Sequence, residues 1–135
     1  MIEVSISVEG LTGLRWSLWK RWVAMAEAEG FSGLYRSDHF TMPDPPDEAS
    51  LECIVSLAYL ADNTRRVRFG PLVAALSFRD PVMLVRQAAA LDDLSGARMV
   101  LGIGTDWIER VHRLQRGSRK GLNLAHLHDV PGSAL

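Results

Sequence analysis

The chain has 135 residues, with 47% hydrophobic and 23% charged side chains, which fits one compact domain and excludes a wholly disordered chain. Its formal net charge of −1, from 15 basic and 16 acidic residues, supplies no field of one sign to attract nucleic acid or an anionic membrane. No stretch is apolar for long enough to span a bilayer. Residues 1–4 carry no secretory signal, and a single cysteine, Cys53, fits a reducing cytoplasm. A complete (β/α)8 barrel, at about 250 residues, does not fit in this length.

Residues 2–8 alternate, with Ile2, Val4, Ile6 and Val8 on one face, as in a strand with unlike faces. From residue 15 the period lengthens, and Trp16, Trp19, Val23 and Ala26 form a helical stripe that Gly30 closes as a C-cap. A short strand over 33–37 runs into Asp38-His39-Phe40. Three prolines then make 41–47 a loop. A second helix is expected over 48–61 with Leu51, Ile54, Val55 and Ala58 inward, followed by a third strand over 67–76. Asp80-Pro81 reads as N-cap and N1 of a helix that ends at Ser95-Gly96, and a fourth strand covers 98–103. This order, βαβαβαβ in units of about 30 residues, implies an α/β fold with parallel strands and right-handed crossovers. Residues 113–135 differ: they carry a balance of +3 against −4 for residues 1–112, and contain no Phe, Tyr or Trp. They are read as a poorly ordered tail to a domain over 1–112.

In parallel α/β folds the chemistry sits where strands end and loops lead into helices. Asp38-His39 at such an end could exchange protons near neutral pH. Equally, Asp38 could cap a turn while His39 fills a polar niche. Gly102-Ile103-Gly104-Thr105 admits either close approach of a cofactor or a tight bend. The third glycine of a dinucleotide fingerprint would fall at Trp107, so that motif is absent. The small residues of 70–76 leave room for a flat ligand or for a crowded barrel centre. Arg79 could hold an anion or cap strand ends. Cys53, among apolar neighbours, reads as inert core, and the histidines have no metal-ligand spacing.

Taken together, several runs resemble the luciferase-like monooxygenase superfamily, whose members use reduced flavin or deazaflavin F420. These are 30–40 (GFSGLYRSDHF), 66–73 (RVRFGPLV), 77–81 (SFRDP) and 93–104 (DLSGARMVLGIG). The resemblance covers about residues 1–112. It implies the N-terminal half of a TIM (β/α)8 barrel, truncated after strand 4, with the cofactor ring at the C-terminal mouth. It further implies acid/base chemistry at His39 beside Asp38, and a backing for the ring from Leu72, Val73 and Ala74 with a cis peptide at Leu72-Val73. Gly104, Thr105 and Asp106 would approach the cofactor. The implied reaction is hydride transfer through F420, or O2 activation by reduced FMN, on a small organic substrate.

The run Thr105-Asp106-Trp107 departs from the family's usual small-Gly-Trp. It sets a carboxylate where glycine is common and a tryptophan where some F420 dehydrogenases carry a glutamate acid. Relatives continue beyond this point with four more βα units. The alternative is therefore a non-catalytic half barrel that binds cofactor weakly or not at all, or pairs with itself through exposed strand edges.

Overall fold

The computed structural model describes residues 2–39, 41–44 and 46–105. The elements are β1 (Ser5–Val8), α1 (Trp16–Ala28), β2 (Gly33–Arg36), α2 (Cys53–Asn63), β3 (Arg68–Pro71), β4 (Ala74–Ala75), α3 (Pro81–Ser95) and β5 (Ile103–Gly104). All paired strands are parallel, in the orders β1-β2-β3 and β4-β5. A bridge between Phe69 and Met99 joins the two sheets, and the Val100 N–H donates to the Phe69 carbonyl. The expected alternation of parallel strands and helices is therefore present. Asp106 and the expected tail over 113–135 lie outside the described residues.

Three expectations need correction. The expected third strand over 67–76 is two short strands, separated at Leu72-Val73, where the peptide bond is cis as the family resemblance implies. The fourth strand contributes only β5 and the Met99 bridge, instead of a full run over 98–103. The second helix starts at residue 53, not 48. Buried Arg36 explains the late start: its guanidinium donates to the Leu51 carbonyl at 2.7 Å, an acceptor that an earlier helix would need for its own ladder. Glu52 becomes the N-cap and accepts from the Val55 N–H at 2.7 Å. That phase turns Val55 outward and buries Ile54, Leu57 and Leu60. It also makes Cys53 the first residue of α2, not a mid-helix one.

The main core lies where α1 and α2 cover the sheet. Trp19, Leu34, Leu57, Val67 and Phe69 are inaccessible there. The tryptophan stripe of α1 packs unequally: Trp19 is fully buried and its indole N–H donates to the Ser56 carbonyl, while Trp16 is partly exposed, edge-on to Tyr59. At the other end of the chain's apolar pattern, Ile2 and Val4 are exposed and only Val8 of that face is buried, because β1 has no strand on its outer edge among the described residues. Asp80 caps α3 through the Met83 N–H, with Pro81 at N1, and Gly96 ends it at φ +69°.

Two features fix the N-terminal ends of the strands. Arg98 donates to the carbonyls of Ala61, Thr64, Val67 and Ser95 and to Thr64 Oγ1, so a buried cation closes the C-terminus of α2. The Glu27 carboxylate accepts from the N–H groups of Arg65, Arg66 and Val67 in the turn before β3. Sheet spacing has its own requirement. A Cβ built on Gly70 would overlap the Val100 carbonyl, so only glycine lets the fourth strand approach β3.

Gly70→Ala should therefore cost about 3 kcal/mol or more of folding stability, read as a fall in the urea midpoint; an unchanged midpoint would contradict the close approach. Acid stability gives a second check. Burial pushes the Glu27 carboxyl up, but the N–H groups of Val67, Arg65 and Arg66 and the Arg66 charge outweigh it, leaving its pKa below 4.5. A carboxylate depressed in the fold stabilises fully above about pH 4.5 and loses that contribution as the pH falls through the folded value. Between pH ~7 and ~3, Glu27→Gln should show a shallower acid loss than wild type. Identical slopes would show that the turn does not depend on the charged form.

Candidate functional site

The strands are parallel, so the ends of β2, β3, β4 and β5 open onto one face. There, Ser37, Asp38 and His39 follow β2 directly, and their side chains take different partners. Ser37 Oγ donates to Glu9 Oε2 at 2.8 Å and accepts from the Gly10 N–H at 3.1 Å, tying β2 to the loop after β1. His39 Nε2 lies 4.0 Å from the same Glu9 oxygen, and its side chain is 21% exposed. Asp38 turns the other way and is 5% exposed.

Arg79 donates through Nε and a terminal nitrogen to the two oxygens of Asp38, both at 2.5 Å, and Asp38 Oδ2 also accepts from the Ala75 N–H at 3.2 Å. The same terminal nitrogen of Arg79 donates to Glu52 Oε1 at 2.7 Å. The two carboxylates hold the guanidinium above the ordinary arginine pKa, although burial opposes them. Burial likewise pushes the Glu52 carboxyl up, but the Val55 N–H and Arg79 prevail and leave it below the usual range. Asp38 and Arg79 are thus each other's partners, and the pair is bonded to the end of β4.

The segment 72–75 runs alongside. The Leu72 N–H donates to the Arg36 carbonyl at 2.8 Å, and the Ala74 N–H to the Gly102 carbonyl at 2.8 Å. Ala74 is fully buried, whereas Leu72 is 52% and Val73 38% exposed, with Leu76 exposed beyond them. A Cβ on Gly104 would sit 2.5 Å from Val73 Cγ2, and one on Gly102 would sit 2.7 Å from the Pro71 carbonyl oxygen. Both glycines therefore make room for the 71–73 segment, and Gly104 is in contact with Val73. Thr105 is exposed at the end of β5. Of the expected site residues, the structure brings Asp38, Leu72, Val73, Ala74 and Gly104 together through these contacts. His39 stands on the β1 side with Glu9. Glu9 and Glu52 have no motif to mark them, since both contacts cross more than 20 residues of chain. No cluster of potential metal ligands occurs among the described residues.

The sequence matches the luciferase-like monooxygenase family over residues 3–128, past residue 112, where the motif resemblance stops. A Mycobacterium tuberculosis protein whose name places it among coenzyme F420-dependent oxidoreductases is 34% identical over 82 residues, covering 61% of this chain and 21% of that protein. Among solved structures, a riboflavin lyase crystallised with modified FMN and riboflavin superposes with a TM-score of 0.74 at 15% identity. It covers 85% of this chain and 32% of the lyase. The F420-dependent tetrahydromethanopterin reductase of Methanopyrus kandleri gives a TM-score of 0.64 at 24% identity, over 86% of this chain and 30% of the reductase. The chain spans about a third or less of each of these proteins' length.

Cys53 lies buried near this network. Burial, with the Asp38 charge adding to it, pushes the thiol up to about 12. At pH ~8 its reaction with a thiol reagent should be at least ~100-fold slower in the native protein than in urea. Equal rates would contradict its placement in the core.

Proposed function

The chain belongs to the luciferase-like monooxygenase family, and on that premise we propose that it forms part of an oxidoreductase site using reduced flavin or F420. The reaction is hydride transfer or O2 activation on a small organic substrate, with no nucleic-acid or membrane partner. One observation carries this reading. The strand ends combine a half-exposed apolar shelf, Leu72, Val73 and Leu76, with a segment that holds an imidazole, and direct hydrogen bonds join the two. The shelf suits a flat, largely apolar ring, and the segment bonded to it carries an imidazole that can hold or pass a proton.

The residues present fit the ring end of such a cofactor. Leu72, Val73 and Ala74 would back it, with Gly104 and Thr105 at the neighbouring strand end. When bound, the cofactor supplies the hydride or the reducing electrons. The chain's own groups orient and protect it. The side chains of Leu72, Val73 and Leu76 exclude water from one face. His39 Nε2, near the Glu9 carboxylate, holds or accepts the proton that accompanies hydride transfer. The relatives' F420 dependence and the lyase's FMN support both cofactor classes equally. A cytoplasmic setting belongs to the same reading, supported by the unpaired Cys53 and by the absence of a long apolar helix among the described residues.

The exposed flanks favour a second reading. Among the described residues β1 and β5 each lack a strand on the outer edge, and Ile103 of β5 and Val82 and Val85 of α3 are exposed. A non-catalytic half barrel that self-associates through these edges would cover them.

Titration with FMN and with F420 separates the two readings. The oxidoreductase reading expects quenching of cofactor fluorescence, and His39→Ala should retain binding while losing hydride transfer by at least ~100-fold. Flat titrations with both cofactors, together with a dimer by light scattering, would favour the self-associating fragment.

A further inference from the structure

We propose that Arg79 is a positioning residue: it clamps Asp38 against the Ala75 N–H, joins segments 37–39 and 72–75 into one cofactor-facing unit, and leaves proton exchange to His39. This deepens the oxidoreductase reading and rests on it.

Asp38 is the residue that sequence proximity pairs with His39, yet its bonds leave it poorly suited to moving protons. Both oxygens accept from Arg79, and Oδ2 accepts in addition from the backbone of β4. A proton on either oxygen would displace one of those charge-assisted bonds inside a buried site. The histidine beside it sits near a different carboxylate, Glu9, which Ser37 holds in place. The tripeptide therefore divides its work: Ser37 and His39 face the β1 loop, and Asp38 faces β4.

The clamp reaches further than one pair. Arg79 lies in the segment between β4 and α3, Asp38 follows β2, Ala75 ends β4, and Glu52 caps α2. One guanidinium thus holds together the segment carrying the imidazole, the segment backing the proposed ring, and the start of a helix. Its planar fork fits this task, because the two parallel bonds fix orientation as well as distance. Lysine would keep the charge and lose the fork.

The test uses the full chain with Arg79→Lys, Arg79→Gln and, as a control, Arg98→Lys, which disturbs a buried arginine at the opposite ends of the strands. In the cofactor-free protein, amide hydrogen exchange at Ala75 should accelerate at least ~10-fold in Arg79→Lys, with Phe69 in the core unchanged. Affinity for FMN or F420 should fall at least ~10-fold in Arg79→Gln and recover in part in Arg79→Lys. Arg98→Lys should lower Tm while changing affinity less than ~2-fold. Wild-type exchange at Ala75 in Arg79→Lys would overturn the clamp. So would an equal loss of affinity in Arg98→Lys, since plain destabilisation would then explain the effect. Should Arg79→Gln fail to fold, Arg79→Lys still gives both readouts. Should wild type bind neither cofactor, the oxidoreductase reading fails while the exchange at Ala75 still decides the clamp.

Discussion

The bidentate pair of Asp38 and Arg79 joins parts of the chain that have no other reason to stay in register. Its carboxylate side ends β2, its guanidinium side precedes α3, and the pair is bonded onward to the backbone of β4 and to the cap of α2. A buried ion pair of this kind contributes little net stability compared with apolar residues of the same size. Removing one partner leaves a buried charge uncompensated, at about 3–5 kcal/mol. What the pair supplies is geometry. The segments that bear His39 and the 72–75 shelf are held at a fixed separation before any ligand arrives, which is the condition for a preorganised site.

The two ends of the sheet use arginine differently. Arg98 and the Glu27 carboxylate, at the N-terminal ends, satisfy backbone groups that helix ends and turns leave open. Arg36 lies in β2 itself and bonds to Leu51 and Ser56, fixing where α2 begins. Among the described residues, Arg79 is the arginine that engages carboxylates at the open ends. The contrast fits a parallel α/β architecture in which one end serves stability and the other presents function.

Much of this was legible in sequence because the signals are local. Asp80-Pro81 and Gly96 bound α3 through chemistry confined to a few residues, and the alternation of apolar periods gave the order of strands and helices. The burial of Cys53 followed from its apolar neighbours. The cis bond at Leu72-Val73 followed from family resemblance alone, since no local rule marks it. What the sequence hid is long-range. The start of α2 depends on a guanidinium 15 residues away taking the Leu51 carbonyl. The break between β3 and β4 falls at residues 72–73, inside an apolar run that gives no signal for it. The partner of Asp38 is 41 residues along the chain, whereas its sequence neighbour His39 faces Glu9. The glycines at 102 and 104 looked equally suited to a cofactor or a bend; their open sides face Pro71 and Val73.

In the proposed site the open strand ends, and not the N-terminal ends, form the ligand face. Mapping backbone amide shifts by NMR as FMN or F420 is added tests it most directly. Perturbations are expected to be confined to residues 37–39, 72–76 and 102–105, with the amides of Val67 and Arg98 unmoved. Shifts centred on Val67 and Arg98, or none at saturating cofactor, would contradict it.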